Sequence, residues 1–502
     1  MDPTLSEWLA AQLSEPSDEP AYRRLTHLFK QAILSGQIGG GTRLPSSRAL
    51  GQDLGIARNT VTHVYEQLQA EGYVETQTGS GTYVADTSPD MSGAAVRSRQ
   101  SHHAARDHQR LSRRGRRTIE LSGVSKVQWG AFMPGVPDVT EFPVKVWTRL
   151  QNRIWRGARP EQMTYAQGGG YPPLRRALAE YLRVSRAANC QSEQVIMTTG
   201  IHQSLDLAIR MLCDVGDEVW VEDPCYWGVR NLLLSSGLTP VPIPVDGEGI
   251  NPSAQQLARP PRMIICTPSH QYPLGCVMSL ARRRMLLEYA RLHGCWIVED
   301  DYDSEFRYGI SPLASLQGLD QHGNVIYVGS FSKVLFPGLR VGYMVVPDSM
   351  ADLFALGLAD LYREGQTMLH ATLAEFIYEG YLGTHIRRMR GLYAERRDIL
   401  TRAVRSRYDD RLPILGDEAG LHLVLALPHL QDDFGVVRQA LERGIVVRPL
   451  RTYYSSASTA QSGLLMGYAC VPHERIGPAF ETLAEVIDQC SKEKAGISMQ
   501  TS

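Results

Sequence analysis

The sequence predicts an α/β protein in which a mostly parallel sheet is covered by helices, preceded by a small helical unit with its own core. Six short apolar runs rich in β-branched residues lie between residues 194 and 346, and helical stretches separate most of them. Before residue 85 the pattern differs, with short helices, a glycine turn and two extended stretches. A chain of 502 residues also exceeds what one hydrophobic core usually holds. We therefore expect two or three domains.

Composition excludes several classes of protein. Charged residues make up 21% of the chain and the formal net charge is −1, so any basic surface for nucleic acid has to be local. The eight cysteines include no C-x-x-C pair, and several lie in apolar runs, which indicates buried thiols in a reducing compartment. The first residues lack a basic and then apolar signal pattern, and no run of 18 apolar residues occurs. These features predict a cytoplasmic protein that does not enter a membrane.

The first unit carries helix-turn-helix punctuation. Apolar residues recur at helical spacing over residues 21–35, and Gly36 stops this helix. Ser46 can cap a short helix that ends near Leu54, a glycine makes the turn, and a second helix follows over about residues 57–70. The order of these signals predicts two helices joined by a tight turn.

The polar face of the second helix can contact DNA. It carries Arg58, Asn59, Thr62 and His63, which can hydrogen-bond base edges or phosphates if the helix enters a major groove. The two extended stretches that follow bracket a Gly-Ser-Gly tip at residues 79–81, which predicts a hairpin. A helical bundle that never touches DNA is the alternative, because the same punctuation occurs there.

A polar linker follows the hairpin. From Asp86 to about Thr118 the sequence loses its periodicity and carries eight arginines against three aspartates, a net charge of +5. Such a segment is usually flexible and solvated. Arginines next to a DNA-binding unit can also contact phosphates without reading sequence.

The sheet expected after the linker determines where a ligand binds. Its predicted strands are Gln194–Thr198, Glu218–Glu222, Arg262–Thr267, Trp296–Asp300, Val325–Ser330 and Val341–Val346, with helices at Gln203–Cys213 and Leu280–His293 among those between them. In mostly parallel sheets, ligands bind beyond the carboxyl ends of the strands. The residues directly after each run should therefore converge on one site.

Lys333 lies at one of these strand ends. It stands in a turn between two apolar runs, where a lysine can lose water, have its pKa lowered and form a Schiff base with an aldehyde such as pyridoxal phosphate. Ser330 and Arg340 flank it as donors to a phosphate. For a single lysine, a solvated loop position is the alternative, and the Ser-x-x-Lys and Pro-Gly-x-Arg context weakens it.

Other strand ends suit the same cofactor. The turn Thr199-Gly-Ile-His-Gln203 opens a helix whose free amides favour a phosphate, and Tyr226 can stack on a flat ring. Asp300 lies 33 residues before Lys333, and a buried carboxylate against a pyridine nitrogen keeps that nitrogen protonated. The acid pair could instead hold a divalent metal, but no cluster at ligand spacing supports this, so we expect no metal site.

The first unit resembles the GntR-type winged helix-turn-helix. The motifs that carry the resemblance include Leu44-Pro-Ser-Ser-Arg48, Arg58-Asn-Thr-Val61, Tyr65-Glu-Gln-Leu68, Glu71-Gly72 and Gly79-Ser-Gly-Thr-Tyr-Val84. The resemblance implies that the unit binds a double-stranded DNA operator. The contacting residues would be Arg48, Arg58, Asn59, Thr60, Thr62, Gly79, Ser80 and Gly81.

The rest of the chain resembles fold-type I, class I aminotransferases, which bind pyridoxal phosphate and carry a smaller C-terminal α/β subdomain. The motifs are Tyr171-Pro-Pro-Leu-Arg175, Thr199-Gly-Ile-His-Gln203, Glu222-Asp-Pro-Cys-Tyr226, Thr267-Pro-Ser-His-Gln-Tyr-Pro-Leu-Gly275, Glu299-Asp-Asp-Tyr-Asp-Ser-Glu-Phe-Arg307 and Ser330-Phe-Ser-Lys333. Together with the first unit they look like the MocR subfamily of GntR regulators. The implied domains are residues 18–86, a linker at 87–118 and an effector domain at 119–490.

The resemblance assigns roles at the cofactor site. Lys333 would bond the cofactor, Asp300 would face its pyridine nitrogen and Tyr302 its phenolic oxygen. The remaining implied contacts are Tyr226 stacking on the ring, Gly200, Ile201, His202, Ser330 and Arg340 at the phosphate, Tyr272 beside the ring oxygen, and Tyr165 reaching the phosphate of a partner subunit in a homodimer.

Three departures from aminotransferases stand out. Residues 201–202 are Ile-His where the family often has Ser-Gln, and Tyr272 replaces the asparagine that orients the ring oxygen. The strand Leu464-Leu-Met-Gly-Tyr-Ala469 lacks the arginine that binds a substrate carboxylate. We expect Arg451 to substitute for it, with Arg448 as the second candidate, although a structural salt bridge is as probable for either.

These observations predict a DNA-binding transcriptional regulator whose pyridoxal phosphate domain senses a small amine or amino acid through an external aldimine. Complete transamination is not required for such a response. The competing hypothesis is a working aminotransferase with an attached DNA-binding unit, because the lysine, aspartate and tyrosine set is complete. A scaffold that binds no cofactor would make Lys333 and Arg340 a coincidence.

Overall fold

The computed structural model describes residues 3–14, 19–77, 81–85, 110–166, 168–309, 314–363, 365–430 and 432–500, with only the backbone at 3–4, 77 and 493–500. The chain divides into two compact units, Met1–Arg106 and Asp107–Ser502. Each is described by itself. Gly79, Ser80 and most of the predicted linker lie outside the described residues.

The first unit has the predicted helices and hairpin. Its elements are α1 Pro3–Leu13, α2 Ala21–Leu34, α3 Ser47–Leu54, α4 Arg58–Ala70, β1 Val74–Gln77 and β2 Gly81–Val84, and β1 pairs with β2 in antiparallel orientation. Ser46 caps α3 by accepting a hydrogen bond from the Ala49 amide, and Gly55 ends it with a φ of +65°. The sequence did not predict α1, whose Leu9 is fully buried in the core of this unit.

The second unit is larger. Its helices are α5 Arg113–Glu120, α6 Val144–Arg156, α7 Pro172–Arg186, α8 Ile201–Leu212, α9 Trp227–Ser235, α10 Ala254–Leu257, α11 Leu280–His293, α12 Leu316–Leu319, α13 Ala351–Tyr362, α14 Thr367–Tyr378, α15 Tyr381–Tyr408, α16 Asp433–Glu442 and α17 His473–Gln500. Its strands are β3 Val195–Thr198, β4 Glu218–Asp223, β5 Thr239–Asp246, β6 Gly249–Ile250, β7 Met263–Cys266, β8 Trp296–Asp301, β9 Val325–Ser330, β10 Gly342–Val345, β11 Ile414–Leu415, β12 His422–Ala426, β13 Arg448–Pro449 and β14 Gly463–Gly467.

An eight-stranded sheet organises this unit, in the order β3-β10-β9-β8-β7-β4-β5-β6. β10 and β6 run against the other six strands, which confirms the predicted mostly parallel sheet. Neighbouring residues face opposite covering layers: Ile265 packs with one apolar cluster and Ile264 with another. Both faces are therefore buried, as parallel strands require.

The sequence did not predict β5, because prolines occupy every second position from 240 to 244. The Thr239 amide donates to Asp217 of the β4 side, so the intervening prolines face away from β4. On that far side β5 pairs with β6 only at its last two residues, Val245 and Asp246. The missing N–H groups therefore cost few ladder hydrogen bonds.

A second sheet of four antiparallel strands, in the order β11-β12-β14-β13, forms the predicted smaller C-terminal part. Helices α15, α16 and α17 pack around it over one apolar cluster that includes Leu423, Met466 and Phe480.

One part of the predicted linker is helical. Helix α5 begins inside residues 87–118 and ends at Glu120. The Ser112 hydroxyl caps it by accepting from the Gly115 amide at 3.0 Å, and the helix packs against α9. Residues 113–118, at the end of the predicted linker, are therefore helical.

All eight cysteines are free thiols. Among the described residues, no helix is long and apolar enough to cross a membrane.

Candidate functional site

The carboxyl ends of the parallel strands open into a cavity of about 720 Å³, within the usual range for small-molecule sites. It is lined by nine of the residues predicted from the sequence: Ile201, His202, Tyr226, Tyr272, Asp300, Tyr302, Ser330, Lys333 and Arg340. We expected the residues that follow the strands to converge on one site. In the structure they do so, from positions that span 140 residues of the chain.

Lys333 is held inside this cavity. Its Nζ donates to the backbone carbonyl of Gly135 at 2.6 Å. Burial lowers the pKa of Lys333 below its usual value, while Asp303 and Asp300 act in the opposite direction. Gly135 has a φ of +69°, and a Cβ there would lie 3.0 Å from Nζ, so this position requires glycine. A lowered pKa favours the uncharged amine, which is the form of lysine that can act as a nucleophile.

Asp300 and Asp301 have different partners because successive strand residues face opposite sides of the sheet. Asp301 Oδ2 lies 2.7 Å from Arg186 Nε in a buried ion pair. Asp300 lines the cavity, and its buried Oδ1 has no hydrogen-bond partner among the described residues. Burial, with Asp301 and Glu222 adding repulsion, raises the pKa of Asp300 to about 8. A protonated ring nitrogen would supply the donor that Oδ1 lacks, so the site fits a pyridine cofactor.

The opposite end of the cavity suits a phosphate. Gly200 precedes α8 with a φ of +125°, and a Cβ there would lie 3.4 Å from Arg340 Nη2. The helix start and the guanidinium thus approach each other across a glycine. The Ser330 hydroxyl donates to the Ser332 hydroxyl at 3.0 Å and accepts from the Ser332 amide at 3.1 Å. Helix N-terminal amides with an arginine form an anion site.

Tyr226 also lines the cavity, beside His202. Its hydroxyl lies 3.1 Å from His202 Nε2, and burial raises the pKa of Tyr226 to about 12. A Cβ at Gly228 would lie 2.5 Å from the Tyr226 ring, so the glycine lets helix α9 approach the aromatic face. This explains how Tyr226 is placed for stacking, with His202 as its neighbour.

Three residues in or next to the cavity wall had no role in our sequence-based prediction: Asp303 and Tyr453, which line the cavity, and His270, which contacts Tyr302. The Tyr302 hydroxyl lies 2.9 Å from Nδ1 of the buried His270, which also contacts Asp303. Tyr272 donates to Tyr453 at 3.3 Å. His270 and Asp303 belong to motifs that carry the aminotransferase resemblance. Their places in the sequence close to Tyr272 and Tyr302 could have indicated a role at the site. No sequence signal pointed to Tyr453.

The structure places the two candidate arginines differently. Arg448, our second candidate, lines the cavity, whereas Arg451 is not among its lining residues. Arg448 begins β13 directly opposite Leu465 of β14, and its Nη2 donates to the Val127 carbonyl at 3.1 Å. Arg451 lies in the helical turn after β13, where its amide donates to Asp433. The turn carries Arg451 past the strand that faces the cavity.

Tyr165 lies outside the cavity of its own chain and is 80% exposed. Its role toward a partner subunit stays a prediction.

The predicted DNA-contacting residues that the structure describes lie in the first turns of α3 and α4 and at the start of β2. Arg48, Arg58 and Asn59 are exposed, and Thr60 and Thr62 are half-buried, with the Thr62 hydroxyl donating to the Arg58 carbonyl. Gly81 has a φ of +124° and is packed against Arg43. Opposite them, Val61, Val64 and Leu68 of α4 are fully buried.

Residues 118–128, which we call the strap, form one wall of the cavity. A Cβ at Gly123 would lie 2.5 Å from the Trp227 ring, and the Asn231 side chain donates to the Leu121 carbonyl. The strap is thus packed on the start of α9, next to Tyr226. In the chain it begins in the last turn of α5, which follows the segment that leads from the first unit.

Within the described residues, no group of three or more histidine, cysteine, aspartate or glutamate side chains could hold a metal ion.

Comparison with known proteins matches both units. Residues 134–483 match the aminotransferase class I and II family, and residues 21–84 match the bacterial regulatory proteins of the gntR family. The chain is 42% identical over 458 residues to the probable rhizopine catabolism regulatory protein MocR of Rhizobium meliloti, covering 91% of this chain and 92% of that protein. It is 30% identical over 484 residues to the pyridoxine biosynthesis transcriptional regulator PdxR of Corynebacterium glutamicum, covering 96% and 98%.

A solved structure shares the fold of the second unit. LysN, the α-aminoadipate aminotransferase of Thermus thermophilus complexed with N-(5'-phosphopyridoxyl)-L-leucine, superposes with a TM-score of 0.67 at 27% identity. The likeness covers 76% of this chain and 98% of that one.

Proposed function

Because the chain belongs to the MocR subfamily of GntR-type regulators, we propose that it is a transcriptional regulator that binds pyridoxal phosphate and senses a small primary amine. One observation carries this proposal. The unpartnered buried Oδ1 of Asp300 and the amine of Lys333 line one cavity, with an anion site at Arg340. Aminotransferases of this fold depend on that cofactor.

Each lining residue has a distinct task. Asp300 would hold the ring nitrogen, Tyr226 would pack on the ring, and Arg340 with the amides at Gly200 would bind the phosphate. When bound, pyridoxal phosphate supplies an aldehyde for which Lys333 and the amino group of an effector compete. Burial lowers the pKa of Lys333, which favours the uncharged amine that this competition requires.

An acid group on the effector would bind at Arg448. No carboxylate lies within ion-pair distance of Arg448 among the described residues, and Arg448 lines the cavity together with Tyr272 and Tyr453. Its charge lowers the pKa of both tyrosines, against the larger effect of burial. A guanidinium beside two hydroxyls is suited to a carboxylate. The effector class is therefore a small amine, including amino acids.

The strap connects this cavity to the rest of the chain. An effector that fills the cavity would contact residues 118–128, which lead through α5 and the linker to the DNA-binding unit. A ligand shifts a conformational equilibrium only through differential contacts. The strap supplies such contacts, so its position would differ between the amine-bound and amine-free states.

The first unit would place α4 in the major groove of an operator, in the cytoplasm. Arg58 and Asn59 at its start are free to reach base edges. A homodimer, with Tyr165 of each chain completing the other site, would present two such helices to two half-sites.

A working aminotransferase is the second candidate, favoured by the complete set of Lys333, Asp300 and Tyr302. The replacement of the ring-orienting asparagine by Tyr272 speaks against efficient turnover.

The test uses full-length protein loaded with the cofactor. A panel of primary amines is screened for changes in visible absorbance, and DNA affinity is measured with a sequence selected from a random pool. We expect an amine that changes the spectrum to change the DNA affinity of wild type but not of Lys333→Ala. An amine that is consumed with a keto-acid acceptor and leaves DNA affinity unchanged would establish the enzyme instead.

A further inference from the structure

We infer that His270 and Asp303 form a buried pair that orients the Tyr302 hydroxyl as a hydrogen-bond donor to the cofactor's ring oxygen. The inference rests on the proposed function and deepens it. It makes His270 a positioning residue that acts through Tyr302 and replaces the orienting amide that Tyr272 removed.

The geometry places three oxygens, from two side chains, near one nitrogen of His270. His270 Nδ1 lies 3.0 and 3.2 Å from the two carboxylate oxygens of Asp303, and 2.9 Å from the Tyr302 hydroxyl. The His270 and Asp303 side chains are 2% and 1% exposed, so water does not compete for these contacts. The two rings of His270 and Tyr302 are also nearly parallel, with centroids 5.9 Å apart.

The hydrogens available to His270, Asp303 and Tyr302 decide where the Tyr302 hydroxyl donates. A carboxylate can only accept, so Asp303 holds the proton of His270 on Nδ1. Facing that N–H, the Tyr302 oxygen acts as a second acceptor. The hydrogen of Tyr302 is then left to donate elsewhere, and Tyr302 lines the cavity. Without Asp303, His270 could carry its proton on Nε2 and would take the Tyr302 hydrogen at Nδ1.

The backbone is shaped to admit the pair. Gly420 has a φ of +78°, and a Cβ at this position would overlap both His270 and Asp303. The Gly420 amide donates to the Phe306 carbonyl at 2.7 Å, which fixes the loop above Asp303. A Cβ at Gly275 would also lie 3.0 Å from His270 Nε2. Two glycines from different loops thus leave space for one imidazole.

Tyr302 is the donor that remains. Tyr272 donates its hydrogen to Tyr453, so it does not replace the missing amide. Burial first, and then the nearby Asp303, raises the pKa of Tyr302 well above its usual value, so the hydroxyl keeps its hydrogen. The titratable groups that act on Tyr302 and His270 are Glu222, Tyr272, Asp300, Asp303 and His422. Lys333 interacts with three of these groups, Asp300, Asp303 and His422.

The test titrates the visible absorbance of the holoprotein against pH. A hydrogen bond donated to the ring oxygen stabilises its negative charge, so the oxygen binds the ionisable proton beside it less strongly. Losing the donor therefore raises the pH midpoint of the absorbance change. We expect Tyr302→Phe to raise the midpoint by about one unit or more, and His270→Leu to raise it by at least half as much. His270→Asn, which retains a donor near the Nδ1 position, should return the midpoint toward wild type. His370→Asn changes an equally buried histidine outside the cavity and serves as the matched control.

The double variant separates positioning from a general structural effect. In Tyr302→Phe, adding His270→Leu should shift the midpoint no further, because His270 acts through the missing hydroxyl. An unchanged midpoint in His270→Leu, or a full additional shift in the double variant, overturns the inference while the cofactor site stands. Failure of the wild type to bind the cofactor at Lys333 overturns the proposed function and the inference together.

Discussion

Replacing Asp300 or Asp301 with asparagine should separate cofactor binding from stability, although the two residues are neighbours on β8. Asp300 faces the cavity with an unpartnered oxygen, and Asp301 pairs with the buried Arg186 at 2.7 Å. We expect Asp300→Asn to weaken cofactor binding and Asp301→Asn to reduce the free energy of unfolding. Each variant is the control for the other.

The structure sets the size of both effects. Truncating one partner of a buried hydrogen-bonded charge pair costs about 2 to 5 kcal/mol, so the Kd of Asp300→Asn for pyridoxal phosphate should rise about 30-fold to 5,000-fold. Breaking the buried ion pair of Asp301 costs about 3 to 5 kcal/mol of stability. Because Tyr327 and Ser304 also donate to Asp301, the amide leaves several groups poorly paired.

The cofactor-free protein adds a pH signature. The pKa of Asp300 is raised to about 8 in the folded state, above its usual 3.8. A raised pKa contributes stability that is fully present below pH 4 and is lost as pH rises through about 8. Four pK units correspond to about 5 kcal/mol. Asp300→Asn should therefore flatten the fall in stability between pH 4 and 8, with Glu222 retaining part of the slope because its pKa is also raised, to about 7.

The assays are a cofactor titration of the apoprotein and urea unfolding at several pH values. An Asp300→Asn variant that binds the cofactor within threefold of wild type would refute the assignment of Asp300 to the ring nitrogen. An unchanged pH slope in the same variant would show that its carboxyl group is not the buried acid responsible.

Three further predictions concern DNA, assembly and effector. Arg58→Ala should reduce discrimination between selected and random DNA by about 1 to 3 kcal/mol, measured as a ratio of Kd values, and an unchanged ratio would exclude it from base contact. Mixing Lys333→Ala with Tyr165→Phe chains should partly restore cofactor binding if sites are shared across a dimer, and no restoration would indicate sites built from one chain. Arg448→Gln should weaken the spectral response to amino acids about tenfold or more while Arg451→Gln leaves it unchanged, and the reverse order would return the assignment to Arg451.

The sequence predicted the parts of the fold that local patterns control. The six apolar runs became strands of the main sheet, and the residues following them met in one cavity. Strand β5 was missed because prolines at every second position usually exclude a strand. Here they are tolerated because the edge of β5 that they face makes few hydrogen bonds to a neighbouring strand. Helix α5 was missed because arginine-rich sequence indicates solvation, whereas a single serine cap and packing on α9 were enough to order it.

The site was predicted where one residue type implies one chemistry, as for Lys333 and Asp300. It was incomplete where contacts depend on chain segments far apart. His270 and Asp303 meet across 33 residues, and Gly420 makes room for them from another 117 residues away. Arg448 was ranked below Arg451 because the sequence does not show where β13 ends and the turn begins. That boundary lies between the two arginines and decides which of them lines the cavity.

Reduction of the holoprotein with borohydride, followed by peptide mass mapping, tests the central claim most directly. The chain has six lysines, and a reduced cofactor adduct on Lys333 blocks tryptic cleavage there. We predict a single modified peptide spanning residues 308–340, which disappears in Lys333→Ala. An adduct on another lysine, or none in protein saturated with pyridoxal phosphate, would contradict the account.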